Sequence, residues 1–162
     1  MKIVNSHLIP RCLPDPFPEH VGVGVKNPCE IAVHATRDVI DRHKHENSMV
    51  LVKVDLTNAF NMVERKIFLD YIHKHHPEVF NWINFCYGDP SVLDCEGHVI
   101  ESSCGVQQGD PLGPLLFALA LSSITRRIRN ETSLDLNIWY CDDGTLMGKQ
   151  QEVAKALQIL EK

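Results

Sequence analysis

Three acidic residues in this chain stand where apolar segments end. Asp142 and Asp143 follow Leu136, Ile138, Trp139 and Tyr140 and precede Gly144. Asp55 closes the run Met49-Val50-Leu51-Val52-Lys53-Val54, in which valines alternate with other residues, the pattern of a strand. The Asp142-Asp143-Gly144 triplet suits a tight turn, because Asp and Gly tolerate turn geometries, with a returning strand over Thr145 to Met147. Read alone, the triplet is a polar hairpin tip. Two strands ending in carboxylates side by side in one sheet would instead concentrate negative charge. Such charges raise each other's pKa unless a cation neutralises them. Oxygen donors, with no His or Cys at metal spacing, favour Mg²⁺ or Mn²⁺ over Zn²⁺. Mg²⁺ commonly takes one or two carboxylates plus substrate phosphates, and two ions about 3.5–4 Å apart serve in-line phosphoryl transfer.

The elements that must position these carboxylates follow from periodicity and punctuation. Pro10, Pro14, Pro16 and Pro18 mark the first 27 residues as extended or irregular. Asn27, Pro28 and Glu30 open a helix to about Lys44, with Ile31, Ala32, Ala35 and Val39 as its buried stripe. The strand to Asp55 comes next. Glu64 to about His75 reads as a helix with Ile67, Phe68, Tyr71 and Ile72 inward, and Pro77 opens another that ends at Gly88-Asp89-Pro90. Val92–Cys95 and Val99–Ser103 form a hairpin through Glu96-Gly97-His98. A long apolar helix runs from Pro111 to about Arg129, with Asp110 as N-cap and Pro111 at its first position. The acidic hairpin and an amphipathic helix over Gln151 to Leu160 close the chain. Strands interleaved with helices, with hairpins among them, indicate an α+β fold: an antiparallel sheet with helices packed on one face.

Three segments together resemble the successive motifs of reverse transcriptases, in their order and spacing: Val54-Asp55-Leu56-Thr57-Asn58-Ala59-Phe60-Asn61, then Gly105 through Phe117, then Tyr140-Cys141-Asp142-Asp143. The detail is most similar to the reverse transcriptases of non-LTR (LINE-type) retrotransposons, and Gly22-Val23-Gly24-Val25 and Cys29 through Arg37 resemble the segment before the first motif. The resemblance implies a polymerase palm, residues 48–162, preceded by a fingers-adjacent segment and helix, residues 1–47. The chain is then a single partial domain, with the rest of the fingers and the thumb lying elsewhere in a parent polyprotein. It implies RNA-directed DNA polymerase activity that extends a primer 3′-hydroxyl with dNTPs on an RNA template. Two Mg²⁺ (or Mn²⁺) ions would be held by Asp55, the Leu56 carbonyl, Asp142 and Asp143, with Asp55 and Asp142 bridging both. Phe60 would exclude the ribonucleotide 2′-hydroxyl, or simply belong to the core. Gln108 and Gly109 would lie against the incoming nucleotide, and Tyr140 would support the primer side. Lys149 and Lys155 are candidates for the lysine of the next palm motif. Cys141 departs from the residue expected in the turn and adds a possible oxidation site beside the metals. Two further readings stay open: a catalytically inactive retroelement remnant, and a nucleic-acid- or protein-binding module that keeps the fold.

Composition bounds these readings. The 162 residues, 44% of them hydrophobic, suffice for one domain with a core. No apolar stretch approaches the roughly 20 residues of a membrane span, and Met-Lys-Ile-Val does not open a signal peptide. The six cysteines lack a C-x-x-C pair, which predicts free, mostly buried thiols in a reducing intracellular compartment, nuclear or cytoplasmic. His73, His75 and His76 read as polar residues at a helix end. The net charge of −5 argues against autonomous tight binding of RNA and suggests that other parts of a larger enzyme supply the basic surface.

Overall fold

The computed structural model describes all residues except 1–5, 7, 9, 13 and 162. A three-stranded antiparallel sheet carries the acidic hairpin, with spatial order β1-β5-β4: β1 is Met49–Asp55, β4 Leu136–Tyr140 and β5 Asp143–Lys149. A separate hairpin pairs β2 (Ser91–Cys95) with β3 (His98–Ser102). The helices are α1 (Pro28–His43), the short α2 (Ala59–Met62), α3 (Arg65–His75), α4 (Pro77–Tyr87), α5 (Gly113–Glu131) and α6 (Gln150–Leu160).

Strand alternation sorts the sheet into two faces. Val50, Val52 and Val54 stand opposite Gly148, Leu146 and Gly144, and Trp139 also stands opposite Gly144. This face packs on α5 and α6: Trp139 and Leu146 are fully buried with Ile128, Ala156 and Phe117. Met147, Leu136 and Ile138 point the other way, where Val39, Ala32 and Ala35 of α1 meet them. α5 and α6 thus cover one face, and α1 crosses part of the other. α3 and α4 pack as a pair against the first half of α5 around Phe68, Ile72, Ile83, Tyr87, Leu115 and Leu119.

Several local expectations change. Ile31 and Ile67, expected inside, are 40% and 44% exposed. Beside Ile67 the adjacent Phe68 is fully buried, and beside Ile31 the adjacent Ala32 is half-buried, because the contact stripe is narrower than the apolar run. α5 begins at Gly113 rather than Pro111, with Leu112 as N-cap. The described residues at positions 10–12 are helical rather than irregular, and Leu8 and Cys12 enter the core beside Phe68; the other positions of that stretch lie partly outside the described residues. The chain then turns, and His20 bridges Trp139 in parallel: Trp139 N–H donates to the Glu19 carbonyl at 2.7 Å, and Val21 N–H to the Trp139 carbonyl at 2.9 Å. Residues 19–21 therefore cover the free edge of β4, satisfying backbone groups that would otherwise face water. All six cysteines are free, but Cys29, Cys95 and Cys104 are exposed and only Cys12 is fully buried, so burial does not explain their use. Among the described residues no helix is long and apolar enough to cross a membrane.

Candidate active site

The register of β1 against β5 places Asp55 directly opposite Asp143. Tyr140 stands opposite Asp143 on the other side, so Tyr140, Asp143 and Asp55 form one row across the end of the sheet and share a face. Cys141 and Asp142 are the two loop residues between β4 and β5. The backbone N–H of Leu56 donates to the Asp142 carbonyl at 3.4 Å, tying the end of β1 to that turn. Asp55 and Asp143 are exposed and Asp142 is half-buried. Among the described residues no Lys, Arg or His makes an ion pair with any of the three. Lys53 lies one step back on the same face, opposite Thr145.

The turn is built differently from the expectation. The left-handed backbone falls on Cys141, at φ 55°, and not on Gly144. Gly144 lies inside β5, and a Cβ there would sit 2.7 Å from the Trp139 ring. The glycine is needed because the indole lies across it, not because the chain turns there. The Cys141 thiol is pushed up, first by burial and then by the negative charges of Asp142, Asp143 and Cys29. A thiol held protonated is a poor nucleophile, so the turn is less oxidisable than its position suggested. The Tyr140 phenol is likewise pushed up, chiefly by its hydrogen bond with Cys29. A cleft of about 390 Å³ between α1 and this face is lined by Cys29, Arg37, Lys53, Tyr140 and Asp143.

A second cleft, of about 420 Å³, brings together Phe60, Gln108 and Gly109. Phe60 is half-buried and stacks on Phe117 with centroids 4.5 Å apart, so it is part of the core and a cleft wall at once. Val106 N–H donates to the Phe60 carbonyl at 2.8 Å, which fixes the loop to the short helix α2. Gly109 has φ 84° and open space around it, the conformation that glycine allows. Asp110 precedes the helix rather than capping it: one carboxylate oxygen accepts the Leu112 N–H at 2.9 Å and the other accepts the Tyr87 hydroxyl. Lys155 donates to the Glu131 carbonyl and Lys149 is exposed at the far end of β5, so neither projects from the acidic end of the sheet.

Some residues of this region were assigned no part in the site from the sequence. Arg65 is buried beneath the 102–105 segment, and His20 is buried against Trp139. Gly22 lies against the Cys141 turn. Each depends on a partner distant in sequence, which periodicity cannot reveal. His76 pairs with Asp15 at 2.6 Å, while His73 and His75 are exposed. Among the described residues no three His, Cys, Asp or Glu side chains converge closely enough to hold a metal ion. The donors at the acidic end are nonetheless all oxygen, two of them on directly paired positions, which suits a hard cation.

A three-stranded antiparallel sheet with acidic residues at adjoining strand ends, backed by long helices, is the palm of a nucleic-acid polymerase. The chain belongs to the reverse transcriptase (RNA-dependent DNA polymerase) family, whose model matches residues 2–162, and is a domain of the non-LTR retrotransposon kind. It is 30% identical over 115 residues to the retrovirus-related Pol polyprotein from type-1 retrotransposable element R2 of Nasonia vitripennis, a match that covers 64% of this chain and 11% of that protein. Its fold is similar to telomerase from Candida albicans, solved with the TWJ fragment of telomeric RNA, with TM-score 0.71, 13% identity, and coverage of 99% of this chain and 31% of that one. Apo telomerase from Candida tropicalis, truncated from its C-terminal domain, matches with TM-score 0.70 at 13% identity, over 99% of this chain and 36% of that one. The chain thus spans about a tenth of the polyprotein and about a third of each telomerase.

Proposed function

We propose that this chain carries the catalytic end of an RNA-directed DNA polymerase, in which Asp55, Asp142 and Asp143 hold two Mg²⁺ (or Mn²⁺) ions with help from the Leu56 carbonyl. The observation that carries the reading is the direct pairing of Asp55 with Asp143, beside a turn that supplies Asp142, in a member of this family. When bound, the metal would lower the pKa of the primer 3′-hydroxyl and stabilise charge on the leaving pyrophosphate. The protein's part is positional. The sheet holds the carboxylates at fixed register, so little reorganisation is needed at the moment of reaction. Tyr140, 37% exposed beside Asp143, supports the primer end. Phe60, Gln108 and Gly109 bound the cleft for the incoming dNTP, and the ring leaves no room for a 2′-hydroxyl.

Template, primer and dNTP are the partners this reading requires. The net charge of −5 supports a division of labour, with the cationic grip on nucleic acid supplied by fingers and thumb elsewhere in the polyprotein. Primer extension on an RNA template with Mg²⁺ or Mn²⁺, beside Asp142→Asn, tests the proposal. Extension that disappears with the substitution supports it. No extension by this chain, even with fingers and thumb segments supplied, favours the inactive remnant. Metal-independent RNA binding unchanged by Asp142→Asn favours a binding module.

A further inference from the structure

Behind the Gln107-Gln108-Gly109 loop lies a buried guanidinium. Arg65 opens α3 and is 6% exposed. Its Nε donates to the Gly105 carbonyl at 2.9 Å, and one Nη donates to Ser102 Oγ at 3.0 Å and to the Cys104 carbonyl at 3.2 Å. These acceptors are neutral oxygens, and the other Nη has no hydrogen-bond partner. The guanidinium carbon lies 5.5 Å from the centroid of the Tyr87 ring, whose face offsets part of the unbalanced charge.

Tyr87, itself 1% exposed, extends the support along the loop. Its hydroxyl donates to Asp110 and accepts the Gln107 N–H at 3.3 Å. Arg65 therefore fixes residues 102–105 and Tyr87 fixes residues 107 and 110, with Gln108 and Gly109 suspended between the two anchors. The first anchor also presses the loop onto α2. A Cβ on Gly105 would lie 2.4 Å from the Asn61 carbonyl oxygen, and the Gly105 N–H donates to the Val63 carbonyl at 2.8 Å. Phe60 and the Gln108–Gly109 backbone thereby share one frame.

We propose that Arg65 and Tyr87 are positioning residues that set the Gln108–Gly109 backbone and the Phe60 ring at the spacing a deoxynucleoside triphosphate requires. The inference rests on the nucleotide reading of the Phe60 cleft. Neither side chain touches the nucleotide; each acts through the loop. Arg65→Lys keeps the charge but loses the forked donor, and Tyr87→Phe keeps the ring beneath Arg65 but loses the hydroxyl.

The test uses the full chain with Mg²⁺: equilibrium binding of labelled dTTP, extension of a primer on a poly(rA) template, and amide hydrogen exchange. Both substitutions should weaken dTTP binding and raise its KM about tenfold, the scale of one lost hydrogen bond, with kcat and the Mg²⁺ midpoint little changed. Exchange should quicken only over residues 102–112. A purely structural role would quicken exchange across the core around Phe68 and Leu116 and would not separate KM from kcat. Unchanged dTTP affinity in both variants, with wild-type binding intact, overturns this inference alone. A wild-type chain that neither binds nor incorporates dTTP, with fingers and thumb segments supplied, overturns the nucleotide reading and this inference with it.

Discussion

Gly22 rests against the backbone of Cys141: a Cβ at Gly22 would lie 2.9 Å from the Cys141 amide nitrogen and 3.1 Å from its Sγ. The turn that carries Asp142 is thus braced by a segment more than a hundred residues earlier, which is itself paired to the edge of β4. Gly22→Ala should displace the turn and lower the extension rate about tenfold or more, given how steeply rate falls with misplacement of reacting groups. Cys141→Gly should relieve the left-handed strain at φ 55° and stabilise the fold by about 1 kcal/mol, read as a higher urea midpoint. It should also restore part of the Gly22→Ala loss by removing the Sγ contact. Full activity in Gly22→Ala would show that the brace does not set the turn.

His20 gives the fold a pH dependence. It is 1% exposed, stacked near Trp139, and burial pushes its pKa down to about 4 from an ordinary 6.5. The folded state keeps the imidazole neutral, whereas the unfolded chain binds a proton below about pH 6.5. Stability is therefore fully present above pH 6.5 and is lost as pH falls towards 4, by roughly 3 kcal/mol for a shift of this size. His20→Leu should flatten that part of the stability curve, measured by urea unfolding between pH 4 and 7. A slope that survives the substitution would assign it to another group.

If Asp55, Asp142 and Asp143 hold Mg²⁺ as proposed, the metal should stabilise the fold. At a Mg²⁺ concentration ten times the dissociation constant, binding to the folded state should add about 1.4 kcal/mol. The melting temperature should rise with Mg²⁺ in the native chain and stay flat in Asp55→Asn and Asp143→Asn. Chelation by EDTA should return the native chain to the metal-free value. An equal rise in the variants would place the cation elsewhere.

On the proposed reading Phe60 is both a core residue and a wall of the nucleotide cleft, so its replacement should show two effects. Phe60→Val removes the stacked contact with Phe117 and should cost about 1–2 kcal/mol in a denaturant titration. It should also raise the ratio of kcat/KM for rNTPs to that for dNTPs by at least about tenfold, since a pocket discriminates against an added group only while its wall stands. A stability loss with unchanged sugar selectivity would leave Phe60 as a core residue alone.

Much of this molecule was legible in the residues. β1 follows from alternating valines. The α3 to α4 boundary follows from Pro77, and the β2–β3 hairpin from Glu96-Gly97. These are local signals, set by backbone sterics within a few residues. The exposure of Ile31 and Ile67 was not legible, because which edge of an apolar stripe touches the core depends on the crossing of whole elements. Gly144 was misread for a similar reason. A turn and a bulky cross-strand neighbour both select glycine, and only the Trp139 ring lying across Gly144 separates the two causes.

By itself the sequence determined the kind of protein: three acidic and glycine-rich motifs, in order, on strands and helices whose periods it also encodes. The tertiary structure decided which groups meet. Register alone put Asp143, rather than Asp142, opposite Asp55, because pairing across a sheet is set by the strands' mutual alignment and not by either strand. Distant packing alone brought Gly22 to the turn and Arg65 beneath the 102–105 segment, since close approach and buried hydrogen bonds between far-separated residues exist only once the chain has folded.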